Sequence, residues 1–357
     1  MAGIYIHIPF CLQKCDYCDF LSFEACGSME SYVDALLHEI QNEKIATPIS
    51  TVYIGGGTPT ALPSHLLCKI LDVIQALSLI SSAEITVEAN PGTLSREYLS
   101  ALKAHGVNRL SIGLQTTHPH LLKAINRIHS MEDFLENFHT ARQLGFDTIN
   151  VDLMFALPGQ TLADWQSTLQ EIIALSPQHV STYSLTPAEN TPLWDALESG
   201  AVTLPSDETD RKMYHLARKL LADAGYIHYE ISNFAKPGFE SRHNIDCWRR
   251  VPYVAFGLGA HSFNGKTRRR NTENMDKYLA GHPPKDIEHL SEADKLSETM
   301  ILGLRLTKGI SESEIPQIYA SQVANLIAKG LLVCQNGHIR LTPLGMDLAN
   351  QVFEAFV

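Results

Sequence analysis

Residues 4–18 read Ile-Tyr-Ile-His-Ile-Pro-Phe-Cys-Leu-Gln-Lys-Cys-Asp-Tyr-Cys, so a β-branched run leads directly into three cysteines. The run over 4–8 predicts a β-strand, which places the cysteines on the loop that follows it. Five more β-branched runs, each followed by a helical pattern, begin near residues 51, 84, 108, 148 and 179. Six βα units within about 200 residues predict an α/β fold with a parallel sheet, either open or curled into a partial (βα)6 barrel.

The polar and glycine-rich segments of the chain fall where the predicted strands end. They are 11–18, 55–60, 88–91, Gln115 and Asp152. Ligands of parallel α/β sheets bind at the carboxyl ends of the strands, where the βα loops gather. Polar residues and glycines also end strands for structural reasons alone, but five such segments on one rim favour a binding site.

The composition limits the classes of protein to which the chain can belong. It has 357 residues, 45% of them hydrophobic, which is enough to bury a large core. Lys and Arg number 28 against 39 Asp and Glu, and the net charge of −11 argues against a partner bound through its phosphate backbone, such as nucleic acid. No apolar run approaches the roughly 20 residues that span a bilayer, and the amino terminus does not resemble a secretory signal. We therefore expect a cytoplasmic protein.

Three of the seven cysteines lie within the short segment 11–18. In a reducing compartment, such crowding favours a metal or redox centre over a disulfide framework. Three thiolates on one loop can bind three irons of a [4Fe–4S] cluster and leave one iron open, whereas a structural zinc needs four ligands. Zinc and inert cysteines remain the alternatives. Cys26, Cys68 and Cys334 are interpreted as small buried apolar residues.

The βα pattern ends near residue 225, and two shorter segments follow. The segment 226–290 contains short β-branched runs and loops that carry a basic patch of Lys266, Arg268, Arg269 and Arg270. The segment 291–357 is helical and then predicts a β-hairpin turning at Asn336-Gly337, typical of a winged-helix-like α+β module. From residue 299 onward, four basic residues balance four acidic ones, whereas a DNA-reading module is basic. We expect a barrel over 1–225, an extension over 226–290 and this C-terminal helical module over 291–357.

The spacing Cys-x3-Cys-x2-Cys after a first strand, with the aromatic Tyr17 before the last cysteine, resembles the radical S-adenosylmethionine (SAM) enzymes. In that superfamily the open iron binds the amino and carboxylate groups of SAM. One electron from the cluster then cleaves the sulfonium to give a 5′-deoxyadenosyl radical. The resemblance implies a partial (βα)6 radical SAM barrel with a [4Fe–4S] cluster on Cys11, Cys15 and Cys18.

Further motifs resemble the oxygen-independent coproporphyrinogen III oxidase group within that superfamily. They are Tyr-Ile-His-Ile-Pro-Phe-Cys at 5–11, Gly-Gly-Gly-Thr-Pro-Thr at 55–60, Glu-Ala-Asn-Pro at 88–91, Arg-Leu-Ser-Ile-Gly-Leu-Gln at 109–115, Asn-Val-Asp-Leu at 150–153 and Leu-Pro-Gly-Gln at 157–160. The C-terminal module is similar to the one that this group carries. The resemblance implies that SAM is bound by Tyr5, Tyr17, Gly56, Gly57, Thr58, Glu88, Gln115, Arg127 and Asp152.

Two features separate the true oxidases from the haem chaperones of the same group. The oxidases carry the motif Cys-x3-Cys-x2-Cys-x-Cys, whereas this chain has Phe20 in place of the fourth cysteine. The oxidases also carry a long segment before the first cysteine, whereas ten residues precede Cys11 here. A third feature is His-Asn-Ile-Asp-Cys-Trp at 243–248, which is similar to the chaperone motif His-Asn-x-x-Tyr-Trp except for Cys247. Because haem iron is held by His or Cys, we expect His243 to contact haem axially, Trp248 to stack nearby and Cys247 to be a second ligand. A structural loop is the alternative.

The resemblance therefore implies a haem chaperone that binds SAM and a [4Fe–4S] cluster, without coproporphyrinogen oxidase activity. Its cargo is haem, passed to respiratory haem proteins at the inner face of a membrane, with peripheral membrane association and a homodimer as further expectations. The first rival is the oxidase itself, which removes two propionate carboxyls by radical chemistry. The second rival is a regulatory binding module that uses the C-terminal helices.

Overall fold

The computed structural model describes residues 1–24, 27–281 and 286–357. The prediction for Cys26 therefore lies outside the described residues. The strands are β1 Ala2–Ile8, β2 Phe10–Cys11, β3 Phe23–Glu24, β4 Ile49–Gly56, β5 Leu79–Ala89, β6 Arg109–Gln115, β7 Thr148–Phe155, β8 His179–Ser184, β9 Ile227–Glu230, β10 Asn233–Ala235, β11 Tyr253–Phe256, β12 His261–Phe263, β13 Thr267–Arg270, β14 Asp286–His289, β15 Ile310–Ser311, β16 Leu332–Gln335 and β17 His338–Leu341.

Helices alternate with the strands over the first two thirds of the chain and dominate its end. They are α1 Met29–Asn42, α2 Ser64–Gln75, α3 Arg96–Ala104, α4 Pro119–Ala124, α5 Met131–Gln143, α6 Leu162–Leu175, α7 Pro192–Glu198, α8 Asp207–Asp223, α9 Arg242–Trp248, α10 Met275–Leu279, α11 Glu292–Gly303, α12 Ala320–Ala328, α13 Pro343–Asp347 and α14 Ala349–Glu354. Short 3₁₀ turns occur at Pro59–Ala61, Glu312–Glu314 and Gln317–Tyr319. No helix in the described part of the chain combines the length and apolarity that crossing a membrane requires.

The main sheet has the strand order β14-β13-β12-β11-β1-β4-β5-β6-β7-β8-β10-β9. Its central seven strands, from β11 to β8, are all parallel, and the strands at both ends are antiparallel. The six predicted strands are confirmed as β1 and β4 to β8. The sequence did not indicate that β11 pairs in parallel with β1, which joins part of the predicted extension to the same sheet.

Alternation along the strands divides the apolar core from the site. Ile4, Ile6 and Ile8 of β1 are fully buried in the main core, whereas Tyr5 and His7 line a cavity. Successive side chains of a strand point to opposite faces, so one strand serves both purposes. The carboxyl ends of the parallel strands therefore carry polar side chains inward while the helices cover the apolar face.

The C-terminal segment has a core of its own and a three-stranded antiparallel sheet, β15-β17-β16. The predicted hairpin is confirmed, since β16 and β17 pair across Asn336 and Gly337. Both turn residues have positive φ, 52° and 72°, as a two-residue hairpin turn requires. The prediction that Cys334 is buried is wrong, because its thiol is exposed and lies against Glu312. The segment boundaries at 225 and 290 stay predictions.

The basic patch of the extension lies on a strand and is neutralised by acidic side chains. Three of its arginines form β13, between β12 and β14. The ion pairs are Arg268 with Glu298, Arg269 with Glu43, and Arg270 with Glu273 and Asp286. The three arginines therefore tie the extension to α11 and to Glu43 after the end of α1, and the prediction that the patch lies on loops is wrong for them, whereas Lys266 lies on the bend before β13.

Candidate functional site

A cavity of about 380 Å³ opens at the carboxyl ends of the parallel strands, and we call it the first cavity. Its volume falls in the range of ligand sites in proteins. It is lined by all three cysteines of 11–18 and by eight of the nine residues that the family resemblance implies for SAM, namely Tyr17, Gly56, Gly57, Thr58, Glu88, Gln115, Arg127 and Asp152. The ninth, Tyr5, is not among its lining residues.

The three cysteines reach the cavity from β2 and the loop after it. Cys11 is buried, and the Thr58 hydroxyl lies 3.7 Å from its Sγ. Cys15 and Cys18 are half-buried on a turn in which the Cys18 N–H donates to the Cys15 carbonyl at 3.2 Å. Burial raises the pKa of the Cys11 and Cys18 thiols. In the described ranges, no three His, Cys, Asp or Glu side chains form a group that could hold a single metal ion.

Asn126 fixes the cysteine loop from the turn after α4. Its side-chain oxygen accepts from Gln13 Nε2 at 2.5 Å, and its Nδ2 donates to Asp16 Oδ1 at 2.9 Å and to the Lys14 carbonyl at 3.3 Å. Asn126 has φ 58°, a left-handed conformation that asparagine tolerates better than most residues. The same turn carries Arg127, so one short segment positions both the cysteine loop and a cation.

The glycine run at the end of β4 passes so close to its neighbours that a side chain would clash with them. A Cβ at Gly57 would lie 2.7 Å from the Phe10 carbonyl oxygen and 3.1 Å from Cys11 Sγ. Gly56 has φ 113°, and a Cβ there would lie 2.5 Å from His7 Nδ1. The run therefore lets the backbone of one strand end pass close to the cysteine loop.

Glu88, at the end of β5, is the most strongly perturbed carboxyl group of the cavity. Its Oε1 accepts from the Tyr53 hydroxyl at 2.6 Å and its Oε2 from the Gly56 N–H at 3.2 Å. Burial raises the pKa of Glu88 to about 7, although both hydrogen bonds oppose the shift. A carboxyl group in this state accepts hydrogen bonds near neutral pH and changes its charge there.

Asp152, on β7, is held by neighbouring polar side chains. Asn150 Nδ2 donates to its Oδ1 at 2.8 Å, and the Ser111 hydroxyl donates to its Oδ2 at 3.0 Å. Burial raises the pKa of Asp152, and these hydrogen bonds lower it. The network fixes the direction of the carboxyl group at the cavity wall.

Arg127 presents an unpaired donor. Its Nη1 donates to Asn90 Oδ1 at 2.9 Å and its Nη2 to the Gly113 carbonyl at 3.2 Å, while Nε is buried without a partner. A buried N–H that lacks an acceptor is costly, so a ligand acceptor at this position would be stabilised. Gln115 lies beside it with φ 72°, at an irregularity in the pairing of β6 with β7. A left-handed glutamine is strained, and such strain is common at ligand sites.

A second cavity of about 580 Å³ lies beside β1 and β11. It is more open than the first cavity, and Phe20 lines both. Its walls come from β1, the segment after Cys18, α9, β11 and the start of β12, and include Tyr5, His7, Asp19, Phe20, Leu21, His243, Cys247, Tyr253, His261 and Glu273. The two predicted haem contacts His243 and Cys247 therefore share one cavity.

His243 is held rigidly in this second cavity. Its Nδ1 lies 3.0 Å from the Thr51 hydroxyl, and its ring stacks on Tyr53 with centroids 5.2 Å apart. The Glu84 carboxylate accepts from the His243 N–H at 3.1 Å, which anchors the first turn of α9. Burial, with the nearby Arg109 cation, lowers the pKa of His243 to about 4. The imidazole is neutral at physiological pH, and no described residue hydrogen-bonds its Nε2.

The structure places two predicted site residues elsewhere. Tyr5 lines the second cavity instead of the first, and its hydroxyl lies 3.0 Å from His7 Nδ1. Trp248 is not among the residues that line the second cavity. Its ring packs under the Arg305 guanidinium, 4.2 Å from centroid to carbon, and its buried Nε1 has no partner. Trp248 therefore joins α9 to the C-terminal segment.

Sequence reasoning missed several residues that the cavities contain. Tyr53 and Asn90 line the first cavity, and His7 and His261 line the second. A signal existed for Tyr53, because it lies two residues before Gly55 on a strand whose alternate residues face inward. A signal also existed for His261, because Gly257 and Gly259 precede it and allow close approach to the barrel mouth.

Two family models match the chain. The Radical SAM superfamily matches residues 5–172, and the HemN C-terminal domain matches residues 290–348. A protein of Bacillus subtilis named "Heme chaperone HemW" is 39% identical, with 100% of this chain and 99% of the relative covered. The Escherichia coli protein of the same name is 33% identical, with 99% and 98% covered.

The solved structures give the same fold. Coproporphyrinogen III oxidase (HemN) from Escherichia coli, described as a radical SAM enzyme, superposes with a TM-score of 0.86 over 99% of this chain and 89% of that one. At 23% identity this likeness shows the partial-barrel fold and no more. From the family models and the full-length relatives, the chain belongs to the radical SAM superfamily and, within it, to the HemW family.

Proposed function

We propose that this chain is a radical SAM-type [4Fe–4S] protein that binds haem and transfers it to haem proteins. The observation that carries the proposal is the pair of neighbouring cavities, which share Phe20 as a lining residue. One combines three thiols with an unpaired arginine donor, and the other contains a neutral histidine whose Nε2 is free of protein partners. The relatives named "Heme chaperone HemW" support the same assignment.

Membership of the superfamily implies a [4Fe–4S] cluster and SAM, and the first cavity fits both. Cys11, Cys15 and Cys18 would hold the cluster, because they line one cavity on one loop and are free of disulfides. Glycine at position 57 lets this backbone pass close to Cys11 Sγ, and the cavity beside the three thiols is the space that the cluster would occupy. When bound, the cluster supplies one-electron reduction of SAM.

The protein's own groups would bind and orient SAM. Arg127 Nε offers a charge-assisted hydrogen bond to a carboxylate, and Glu88 and Asp152 offer acceptors to an amino group or to ribose hydroxyls. Tyr17 and the backbone of the glycine run would enclose the ligand and exclude water. Tyr5 has no place in this proposal, since it lies in the second cavity.

The second cavity fits haem through His243. If Thr51 accepts a hydrogen bond from Nδ1–H, the lone pair of the ring lies on Nε2, which is the form that binds iron. Cys247 is the weaker candidate, because burial raises the pKa of its thiol to about 12 and a metal ligand must be the thiolate. We therefore assign the axial contact to His243 and none to Trp248.

The rival function is oxidation of coproporphyrinogen III. Anaerobically reconstituted protein would be incubated with SAM, a reductant and coproporphyrinogen III, and in parallel loaded with hemin and mixed with a haem-free acceptor protein. We expect haem transfer and no stoichiometric protoporphyrinogen or carbon dioxide. Protoporphyrinogen and carbon dioxide in stoichiometric amounts, without transfer, would establish the oxidase instead. A variant with His243→Ala is the matched control for transfer.

Other expectations from the sequence stay predictions. They are the three-segment division, a homodimer, peripheral membrane association, a cytoplasmic location and respiratory proteins as recipients. Sedimentation of the reconstituted protein would test the dimer. Flotation with anionic vesicles would test membrane association.

A further inference from the structure

Tyr53 lies between the two cavities. It faces the first cavity from β4, and its in-register neighbour on β1, Tyr5, faces the second. The two rings stack with centroids 6.4 Å apart and planes inclined by 24°. At this point one pair of side chains separates the cavities.

Tyr53 contacts a functional group of each cavity. Its hydroxyl donates to Glu88 Oε1 at 2.6 Å, and its ring stacks on His243 at 5.2 Å with the planes inclined by 27°. On its edge, His243 Nδ1 lies 3.0 Å from the Thr51 hydroxyl. The imidazole is therefore held between the Tyr53 ring and Thr51.

We infer that Tyr53 is a positioning residue that couples SAM binding in the first cavity to haem binding at His243. The inference rests on the proposed function and goes beyond it. A ligand that binds Glu88 reduces the motion of its carboxylate. Because this carboxylate holds the Tyr53 hydroxyl, the motion of the Tyr53 ring and of the His243 imidazole stacked on it is reduced as well. Haem then binds an imidazole whose motion has already been reduced, so the second ligand loses less conformational entropy than the first. Linkage requires haem to strengthen SAM binding by the same factor.

The test is a hemin titration of anaerobically reconstituted protein with and without saturating SAM, followed by the Soret band. The variants are Tyr53→Phe, which keeps the ring and removes the hydroxyl, and Tyr98→Phe as the matched control. Tyr98 donates to the Leu62 carbonyl and lines neither cavity. We expect SAM to lower the Kd for hemin about fivefold in the wild type and in Tyr98→Phe, and by less than about twofold in Tyr53→Phe.

The outcomes separate the inference from the proposed function. A wild-type Kd for hemin that SAM leaves unchanged or raises would overturn the coupling and leave haem binding intact. A Tyr53→Phe protein that retains the full effect of SAM would also overturn it. Failure of the wild type to bind hemin would overturn the proposed function and the inference together. The effect of SAM on the wild-type protein is measured without any variant. The inference can therefore be overturned even if Tyr53→Phe does not fold.

Discussion

The two cavities are built in different ways. The first cavity is assembled mainly from the ends of consecutive parallel strands, so its residues follow from the βα pattern. The second depends on α9 and β11, which lie more than 200 residues from β1 in the sequence and pack against it in space. The first holds Glu88 and Asp152 by hydrogen bonds, whereas the second places a neutral imidazole among aromatic rings and the carboxyl groups of Asp19 and Glu273. We infer that a reactive cofactor site and a cargo site can share a wall and remain chemically separate.

The largest effect is expected from a substitution that removes a cluster ligand from the first cavity and leaves the second cavity unchanged. Cys15→Ser should reduce reconstituted iron and sulfide by more than about tenfold, because a three-thiolate set loses one ligand. Hemin affinity without SAM should stay within about twofold of the wild type. Cys68→Ser, a half-buried thiol on α2, is the control that should keep its iron. Loss of hemin binding in Cys15→Ser would contradict the separation of the two sites.

The corresponding substitution removes the proposed haem contact from the second cavity and leaves the first cavity unchanged. His243→Ala should weaken hemin binding at least about tenfold, since removal of a metal contact costs at least as much as loss of an outer-sphere partner. Cys247→Ser should change the affinity by less than about twofold, because the thiol stays protonated at neutral pH. Titration by absorbance measures both, and the two variants control for each other. If Cys247→Ser binds hemin more weakly than His243→Ala does, the assignment of His243 as the haem contact is incorrect.

Arg127 sharpens the comparison, because it tests the chemistry of the first cavity. Arg127→Lys should weaken SAM binding about tenfold, since lysine cannot place donors where Nε and both Nη atoms lie. Equilibrium dialysis with reconstituted protein measures the change. Arg96→Lys, at an exposed arginine on α3, is the control. Equal SAM affinity for Arg127→Lys and wild type would remove the guanidinium from the site.

A pH profile tests Glu88. Its pKa is raised by burial to about 7, so the carboxylate form predominates above that pH and is lost as the pH falls below it. SAM carries a positive sulfonium, and its affinity should therefore fall about fivefold between pH 8 and pH 6. Glu88→Gln should flatten that part of the profile. A wild-type profile that rises toward pH 6 would contradict the assignment.

The smallest expected effect concerns the cysteine loop. Asn126→Gly keeps the left-handed backbone accessible and removes the three side-chain hydrogen bonds that hold Gln13, Lys14 and Asp16. The reconstituted cluster should be lost about two to three times faster on exposure to a chelator, as each hydrogen bond contributes about 1 kcal/mol or less to a partly exposed loop. Asn244→Gly on α9 serves as the control. Unchanged kinetics would show that the cysteines hold their positions without Asn126.

The positions of strands explain how much of the site could be predicted from the sequence. Glu88 and Gln115 lie at the ends of β5 and β6, Asp152 lies within β7, and all three line the first cavity. Tyr5 lies within β1, but β11 continues the sheet beyond β1 and places this residue beside the second cavity. Trp248 contacts Arg305 of the C-terminal segment, a contact between distant segments that no local pattern encodes. The strand pattern thus predicted which segments meet at the site, and long-range pairing decided which cavity each residue lines.

The most direct test of the central claim is one sample of reconstituted wild-type protein, loaded with hemin under anaerobic conditions and analysed for iron, sulfide and haem. Two separate sites predict that each chain retains a full [4Fe–4S] cluster while it binds one haem, with the absorbance of both groups in one spectrum. If haem enters only as the cluster is displaced, or if no haem is bound when the cluster is full, the account of two separate cavities is contradicted.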